Sequence, residues 1–485
     1  MYRSHIDSRL FLCYYEPCRD MKVLLIEPLK IIWEMMRPCV PVPLGLAQLA
    51  AVLEQQKIDV EVIDRTALNI GREALVEAIR QEKPDIVGTT ALTPFLHNAV
   101  EVAQVAKEVD RRIITVLGGP HATYLPEETL KENAAIDIVA RGEGELVITD
   151  LVRCIERGGE LSQVKGIGFR SNGSAILTEP QPPVDVDELP LPAYHLLPME
   201  KYYFVLLGRF ATVIASRGCP HRCTFCSEWR FWGGRWRQRD PKKIGDELEL
   251  LVRNYRIESV WFADDCFNVS ADMIRGICDE IKSRNLRFNW FYQGRADLLV
   301  EHRDLLPLMR ETGNRMVQIG IEAATDRELD EMGKKLSLDK VVEAVKLLRE
   351  HDIVAQGLMI IGTGSDNTDS IIQKVRYMKR LDVDFPIFTM FTPFPGSDVY
   401  DEAKANSWLE SEDYSLYDMS NAVMPTKYLT IKQLMASYRW CYATYYMNLW
   451  KLAKGLLSRN DWKRKIWRHM LRFSLKQMVR TWTRW

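Results

Sequence analysis

From Met21 onward, short apolar runs alternate with helix-length amphipathic stretches. Runs at 22–27, 59–64, 85–90, 112–118 and 137–140 read as strands, and 43–56, 72–81, 97–108 and 126–133 as the helices between them. Strands split by helices make βαβ units with a parallel sheet. The pattern predicts a doubly wound domain over 21–157, with ligands at the carboxyl ends of its strands. Residues 158–210 break the rhythm. VKGIGFRSNGSAILTEP reads as a hairpin turning at Asn172-Gly173. Pro180, Pro182, Pro183, Pro190 and Pro192 then read as a linker wrapping to the next domain. Over 211–424 the alternation resumes with six strands, at 211–218, 259–264, 287–293, 315–321, 353–361 and 384–391. Six β/α units in series predict a barrel or partial barrel, with chemistry at the strand C-terminal ends. The last section, 425–485, reads as helical and rich in Trp and Tyr.

The 485 residues suit two or three domains. The net charge of −1 gives no case for nucleic acid, but it hides an asymmetry. Residues 451–485 hold eleven Lys or Arg against one acidic residue, Asp461, so this tail carries +10 and the rest −11. Residues 1–20 lack an apolar core and read as a structureless start-site extension in which Cys13 and Cys18 have no role. No run reaches the roughly 20 apolar residues that span a bilayer. A reducing cytoplasm is the expectation, and there a cysteine group points to a metal or redox site rather than to disulfides.

That group is ASRGCPHRCTFCSEW, in which Cys219, Cys223 and Cys226 have the spacing C-x3-C-x2-C just after a barrel strand. Three thiolates suit three irons of a [4Fe–4S] cluster, leaving one iron open to a ligand. The alternative is a zinc knuckle, for which His221 has poor spacing to complete a tetrahedron.

With Phe225 before its last cysteine, this segment resembles the radical S-adenosylmethionine (AdoMet, or SAM) signature. In that family the open iron chelates the amino and carboxylate groups of AdoMet. An electron from the cluster cleaves the sulfonium and releases a 5′-deoxyadenosyl radical. Later strand ends agree with the resemblance. WFADDCF places Asp264 and Asp265 to meet the AdoMet ammonium. NWFYQGR brings Gln293 and Arg295, and VQIGIEAAT brings Glu322, an acceptor for ribose hydroxyls. GLMIIGTGSDN brings Gly362 and Gly364, where backbone approaches the adenine, and TPFPGS follows the sixth strand. Each is weak alone, since a carboxylate at a strand end also caps the next helix; their weight lies in falling at one end of successive strands.

A doubly wound domain ahead of such a barrel resembles the cobalamin-binding radical SAM enzymes, as do PVPLGLAQLAAVL, VLGGPHAT and ARGEGE. The resemblance implies an α/β chain: a Rossmann-like cobalamin-binding domain, a partial (β/α)6 TIM-like radical SAM barrel and a helical C-terminal region. Gly118 and Gly119 would let backbone lie against the nucleotide tail, and His121 would line that cleft. One departure stands out: where many cobalamin proteins carry D-x-H-x-x-G, this chain reads EPLKIIWEMMRP, without a histidine for cobalt.

FCSEWRFWGGRWRQRDPKKI looks most like the anaerobic magnesium-protoporphyrin monomethyl ester cyclases and also resembles the hopanoid C-methylases. The resemblance implies C-methylation of an unactivated carbon on a lipid or isoprenoid-like substrate, or oxidative cyclisation of a porphyrin. It also implies a large apolar substrate, lipid or tetrapyrrole, and an external electron donor of flavodoxin or ferredoxin type. A cobalamin or iron–sulfur sensor is the reading of another class. Trp229, Phe231, Trp232 and Trp236 would wall an apolar pocket beside the cluster. In the tail, Trp462, Ile466, Met470 and Phe473 alternate with Lys463, Arg464, Lys465, Arg468, Arg472 and Lys476, as in a basic helix lying on anionic lipid. The same pattern fits a helix packed on the barrel with a solvated basic face. Cys39, Cys154, Cys266, Cys278 and Cys441 form no second motif, and no nucleic-acid partner is expected.

Overall fold

The computed structural model describes residues 21–30 and 39–482, with side chains as far as 472. The extension 1–20, most of EPLKIIWEMMRP and Phe473 lie outside what is described. The chain divides into two compact units, Met1–Ile31 with Val42–Tyr202 and Ile32–Pro41 with Tyr203–Trp485.

The first unit holds a seven-stranded sheet of β1 (Lys22–Glu27), β2 (Asp59–Asp64), β3 (Ile86–Thr90), β4 (Ile114–Gly118), β5 (Ile138–Ala140), β6 (Ile167–Ser171) and β7 (Ser174–Leu177), in the order β2-β1-β3-β4-β5-β6-β7. Five strands are parallel. Central β1 is covered on both faces, so KVLLIE is almost continuously apolar and buried; edge β2, DVEVID, alternates. The strand order reverses between β1 and β3, which makes the carboxyl ends of these strands the natural ligand crevice.

The hairpin β6–β7 is not part of a loose linker. It adds antiparallel to β5 and extends the sheet, with Arg170 fastening it to the Leu130 and Ala134 carbonyls (2.6 and 3.0 Å). The proline-rich run is packed as well. Pro190 accepts from Gln48 (2.9 Å), Ala193 N–H donates to Ala47 (3.0 Å), and the buried Tyr202 donates to Asp64 (3.1 Å). Prolines remove donors here without preventing burial, because their neighbours' carbonyls still find partners.

The second unit holds β8 (Tyr203–Phe204), β9 (Gly208–Val213), β10 (Ser216–Arg217), β11 (Arg237–Gln238), β12 (Ser259–Phe262), β13 (Asn289–Gly294), β14 (Asn314–Glu322), β15 (Val354–Ile361) and β16 (Phe385–Met390). Its large sheet runs β16-β15-β14-β13-β12-β9-β8, with six parallel strands and β8 antiparallel at the edge. The intervening helices bury one apolar stripe each. Pro241–Arg253, for example, starts on an Asp240 cap and buries Ile244, Leu248 and Leu251.

The expected strand 211–218 is cut short. β9 ends at Val213, and the chain leaves the sheet to form the two-residue ribbon β10–β11. The buried Asp264 carboxylate causes the departure by taking the Ala215 and Ser216 N–H groups that a longer strand would have used.

The C-terminal helices pack on this sheet. Ile431–Tyr446 is fastened to β16 and the strand's approach by tyrosine hydroxyls, with Tyr445 donating to Val383 and Tyr446 to Pro386 (2.6 Å each). In Asp461–Trp482, Trp462, Ile466 and Met470 are buried, and Lys463 pairs with Asp384 at 2.8 Å. The apolar stripe read as an interfacial face is therefore turned into the protein, where its area is removed from water permanently. The exposed large apolar side chains of this region are instead Trp440, Met447, Leu449, Trp450 and Leu457, the last three about four-fifths exposed. Among the described residues no helix is long and apolar enough to cross a membrane.

Candidate functional site

Leaving β10, the chain crosses the carboxyl ends of the strands and carries Cys219, Cys223 and Cys226, all partly buried free thiols. Asp264 sets the loop's departure: besides Ala215 N (3.1 Å), it accepts from the Ser216 hydroxyl at 2.6 Å. Burial pushes its carboxyl up to about 7 against these bonds. Asp264 thus braces the loop. Asp265, whose charge acts on Cys219 and Cys226, accepts from Gly218 N at 3.2 Å, and burial raises it to about 6. Glu228, two residues past the last cysteine, is partly buried beside it; burial and the Asp265 charge raise it to about 8. Two carboxylates this close resist joint ionisation.

The thiols differ. The neighbouring Cys266 thiol is the chief reason that Cys219 falls to about 7, aided by the His221 N–H and the Arg295 charge against burial. Burial raises Cys223, with Lys334 and Arg295 pulling it down, and burial raises Cys226 further. His221 is lowered to about 4, chiefly by burial. Half-buried thiols facing Arg295 and Lys334 form a soft donor set near positive charge, which fits an anionic iron–sulfur cluster whose ligands must be thiolates.

Of the other residues singled out from sequence, Arg295 is buried and fully engaged. It pairs with Asp297 (2.8 and 3.0 Å) and holds the Lys334 and Lys335 carbonyls at 3.0 Å. Glu322 ends β14 with a left-handed φ of 64° and accepts from Lys334 Nζ at 2.6 Å, both side chains buried. Such strain persists only where surroundings impose it, and here the ion pair does so. Gln293, on β13, is half-buried, in register with Gln318. Gly362 has φ +85° and gives its N–H to Asp366 at 2.8 Å; a Cβ there would meet Met390 at 2.9 Å. Asp366 is locked by the fully buried Lys374 (2.8 Å), so a charged pair shapes the glycine loop.

The aromatic run is interleaved with basic side chains. Arg222 and Arg230 stack on Trp229, Arg217 and Arg237 flank Trp232, and Trp236 donates to Ser216 at 3.1 Å. These rings interleave with guanidinium groups, which favour the electron-rich ring faces.

Glu228, Cys266, Lys334 and Lys374 escaped the sequence reading. The first three carry no spacing signature, since the fold alone brings them together. Lys374 had a signal: it lies among Ile371, Val375 and Met378 on the buried stripe of its helix.

In the first unit, Gly118 ends β4 with no crowding that requires glycine, whereas Gly119, at φ +92°, passes so close to the β3 loop that a Cβ would stand 2.8 Å from Ala91 O. Gly119 therefore serves the approach of two loops. His121 is buried beside Thr93 (3.4 Å) and lowered to about 4 by burial, so it is packed inside and does not line the crevice. At the carboxyl end of β3 Leu92 stands half exposed, and Leu146 is exposed in the first turn of the helix Gly144–Glu156. Exposed apolar side chains near the strand ends of a doubly wound sheet are the kind of surface that a large cofactor covers.

Comparison with known proteins agrees with both halves. Residues 39–152 match the B12 binding domain, and residues 213–375 match the radical SAM superfamily. An uncharacterized methyltransferase of Pyrococcus horikoshii is 34% identical over 86% of this chain and 90% of its own length. The chain belongs to the cobalamin-binding radical SAM family. A second member, the anaerobic magnesium-protoporphyrin IX monomethyl ester cyclase of Rubrivivax gelatinosus, is 32% identical over 84% of this chain and 74% of its own. The fold matches that of the radical SAM methyltransferase TsrM from Kitasatospora setae, solved with cobalamin and a [4Fe–4S] cluster: TM-score 0.74, 19% identity, 94% of this chain and all of that one. This cobalamin-binding radical SAM protein is an enzyme, with the cluster, AdoMet and cobalamin as its cofactors. The cysteine loop is the part that would hold the cluster, which supplies the electron for AdoMet cleavage.

Proposed function

We propose that the protein methylates an unactivated carbon of an apolar lipid or isoprenoid-like molecule, taking the methyl group from cobalamin and opening the carbon by hydrogen abstraction. The observation that carries this reading is the pairing of both cofactor modules in one chain whose 34%-identical relative is named a methyltransferase along nearly its whole length. An apolar cavity in the second unit, lined by Phe210, Trp261, Phe291 and Phe385, supports the apolar substrate. Asp265, Glu322 and the Gly362 loop are the groups that would orient AdoMet at the strand ends. The 32% identity to a porphyrin cyclase favours a second reading, oxidative cyclisation of a tetrapyrrole side chain.

Products separate the two. Reconstituted anaerobically with cobalamin, AdoMet and reductant, a methylase yields S-adenosylhomocysteine together with 5′-deoxyadenosine; a cyclase yields 5′-deoxyadenosine alone. Cys223→Ala should lose AdoMet cleavage and keep cobalamin. Cleavage retained in that variant would overturn the cluster assignment.

The reading includes a reducing, cytoplasmic setting with a flavodoxin- or ferredoxin-type donor, and a peripheral contact with anionic lipid. The contact is proposed through Leu449, Trp450 and Leu457, beside Lys454 and Arg459, because these apolar side chains face outward among basic ones.

A further inference from the structure

A cavity of about 240 Å3 lies on one face of the second unit's sheet. Its lining is apolar except at Gln318, Gln356 and, at its edge, Lys465. Apolar cavities of about 150 Å3 already admit a benzene-sized molecule, so this one admits a medium-length chain or a single ring. It is smaller than the roughly 300–1,000 Å3 that holds a whole drug-sized ligand.

Gln356 makes this more than a packing defect. Its side chain is fully buried, and among the described residues neither its Nε2 nor its Oε1 has a hydrogen-bond partner. Burying a carboxamide with both ends unpaired is costly, and such groups in native proteins call for an explanation. The register supplies one. Gln293, Gln318 and Gln356 lie side by side on β13, β14 and β15, so one row of amides crosses one face of the sheet. Phe291 and Met316, which line the cavity, lie two residues before Gln293 and Gln318 on the same face of the same strands. The row therefore stands between the apolar cavity and the strand ends that carry the cysteine loop.

We propose that the cavity binds an apolar chain or ring of the substrate bearing one neutral amide, and that Gln356 reads this amide with two reciprocal hydrogen bonds. An amide offers one donor and one acceptor, the complement of the two unpaired atoms. An acceptor-only group such as an ester leaves Nε2 satisfied and Oε1 bare. A site built to hydrogen-bond its ligand rejects the analogue that leaves a buried group unpaired. The inference rests on the proposed function only in taking the second unit to carry the substrate.

The test uses octanamide and methyl octanoate as probes, titrated calorimetrically into the anaerobic holoenzyme without AdoMet. The unaltered protein should bind octanamide about tenfold more tightly than the ester. Gln356→Met, close in volume but apolar, should abolish the preference while still binding the ester. It should also melt at a higher temperature than the unaltered protein without probe, which shows that it folds. Met316→Trp, which fills the cavity, should weaken both probes. Equal affinities in the unaltered protein, a preference surviving Gln356→Met, probes indifferent to Met316→Trp, or no binding at all would each overturn the proposal. Measuring 5′-deoxyadenosine in the same preparations keeps the two readings apart. Amide preference without AdoMet cleavage leaves this inference standing and defeats the proposed function; cleavage without preference does the reverse.

Discussion

Asp264 holds Ser216 twice, through its N–H and through its hydroxyl at 2.6 Å, and so decides where the first barrel strand stops and the cysteine loop begins. Removing the carboxylate leaves three donors without their acceptor, at about 1–3 kcal/mol for each that stays buried and unmet. Asp264→Ala should therefore melt well below the unaltered protein and take up substoichiometric iron, even though the residue touches no cysteine. Melting and iron analysis check this. Unchanged melting with full iron content would sink the bracing role.

This brace also shows how far the sequence could be read. Buried parallel strands are continuous apolar runs, so β1, β3 and β15 were visible in outline, and three close thiols after a strand allow few chemistries. A carboxylate at a strand end is different. It has the same sequence appearance whether it braces a loop, as Asp264 does, or brings its charge to the thiols, as Asp265 does, because the distinction lies in which backbone comes within 3 Å. The Trp462 face leaves two readings open, lipid or barrel, and His121 reads as a cleft residue, for a related reason: amphipathic and glycine-flanked patterns report that a face is buried somewhere, not against what.

Acid should loosen the C-terminal helices before the sheets. Burial acts to raise Asp382, but bonds from Lys454 and Lys451 overcome it and hold the carboxyl below its ordinary value. Asp352 is likewise lowered, by Asn460 and Arg310 against burial. A carboxyl depressed on folding adds stability that is complete above its unfolded value of about 3.9 and disappears as pH falls through the folded value. Both aspartates fasten the residues 451–460 to the sheet unit, through Lys451 (3.1 Å) and Asn460 (2.9 Å). Hydrogen exchange between pH 6 and pH 3 should show amide protection falling first over 449–472. Uniform loss across β12–β16 would refute the ordering.

Vesicle binding should follow the exposed apolar residues and not the buried stripe. Leu449→Ser/Trp450→Ser/Leu457→Ser should weaken co-sedimentation with phosphatidylserine-rich vesicles about a hundredfold, since each of the three partly inserted side chains is worth on the order of 1 kcal/mol. High salt should weaken the unaltered protein too, by screening Arg459 from the lipid. Binding that ignores both changes would remove the membrane contact from the proposed function.

Lys374 and Asp366 are both fully buried, 2.8 Å apart, and Asp366 also accepts from Gly362 N (2.8 Å) and Thr363 N (3.1 Å). The pair therefore links a helix to the glycine loop proposed for AdoMet. Replacing one member strands the other charge in the interior, at about 3–5 kcal/mol, whereas removing both charges together costs far less. Lys374→Met should lower stability by that amount and weaken AdoMet binding, because Asp366 would have to turn toward a new cation or take up a proton. Lys374 also meets Glu328 at 3.3 Å, so adding Asp366→Asn should recover only part of the stability, while the amide oxygen still accepts from Gly362. Chemical denaturation of the two variants measures the coupling, and AdoMet titration shows whether the loop regains its shape. Additive losses would mean that the ion pair is incidental and that the loop is held by its backbone alone.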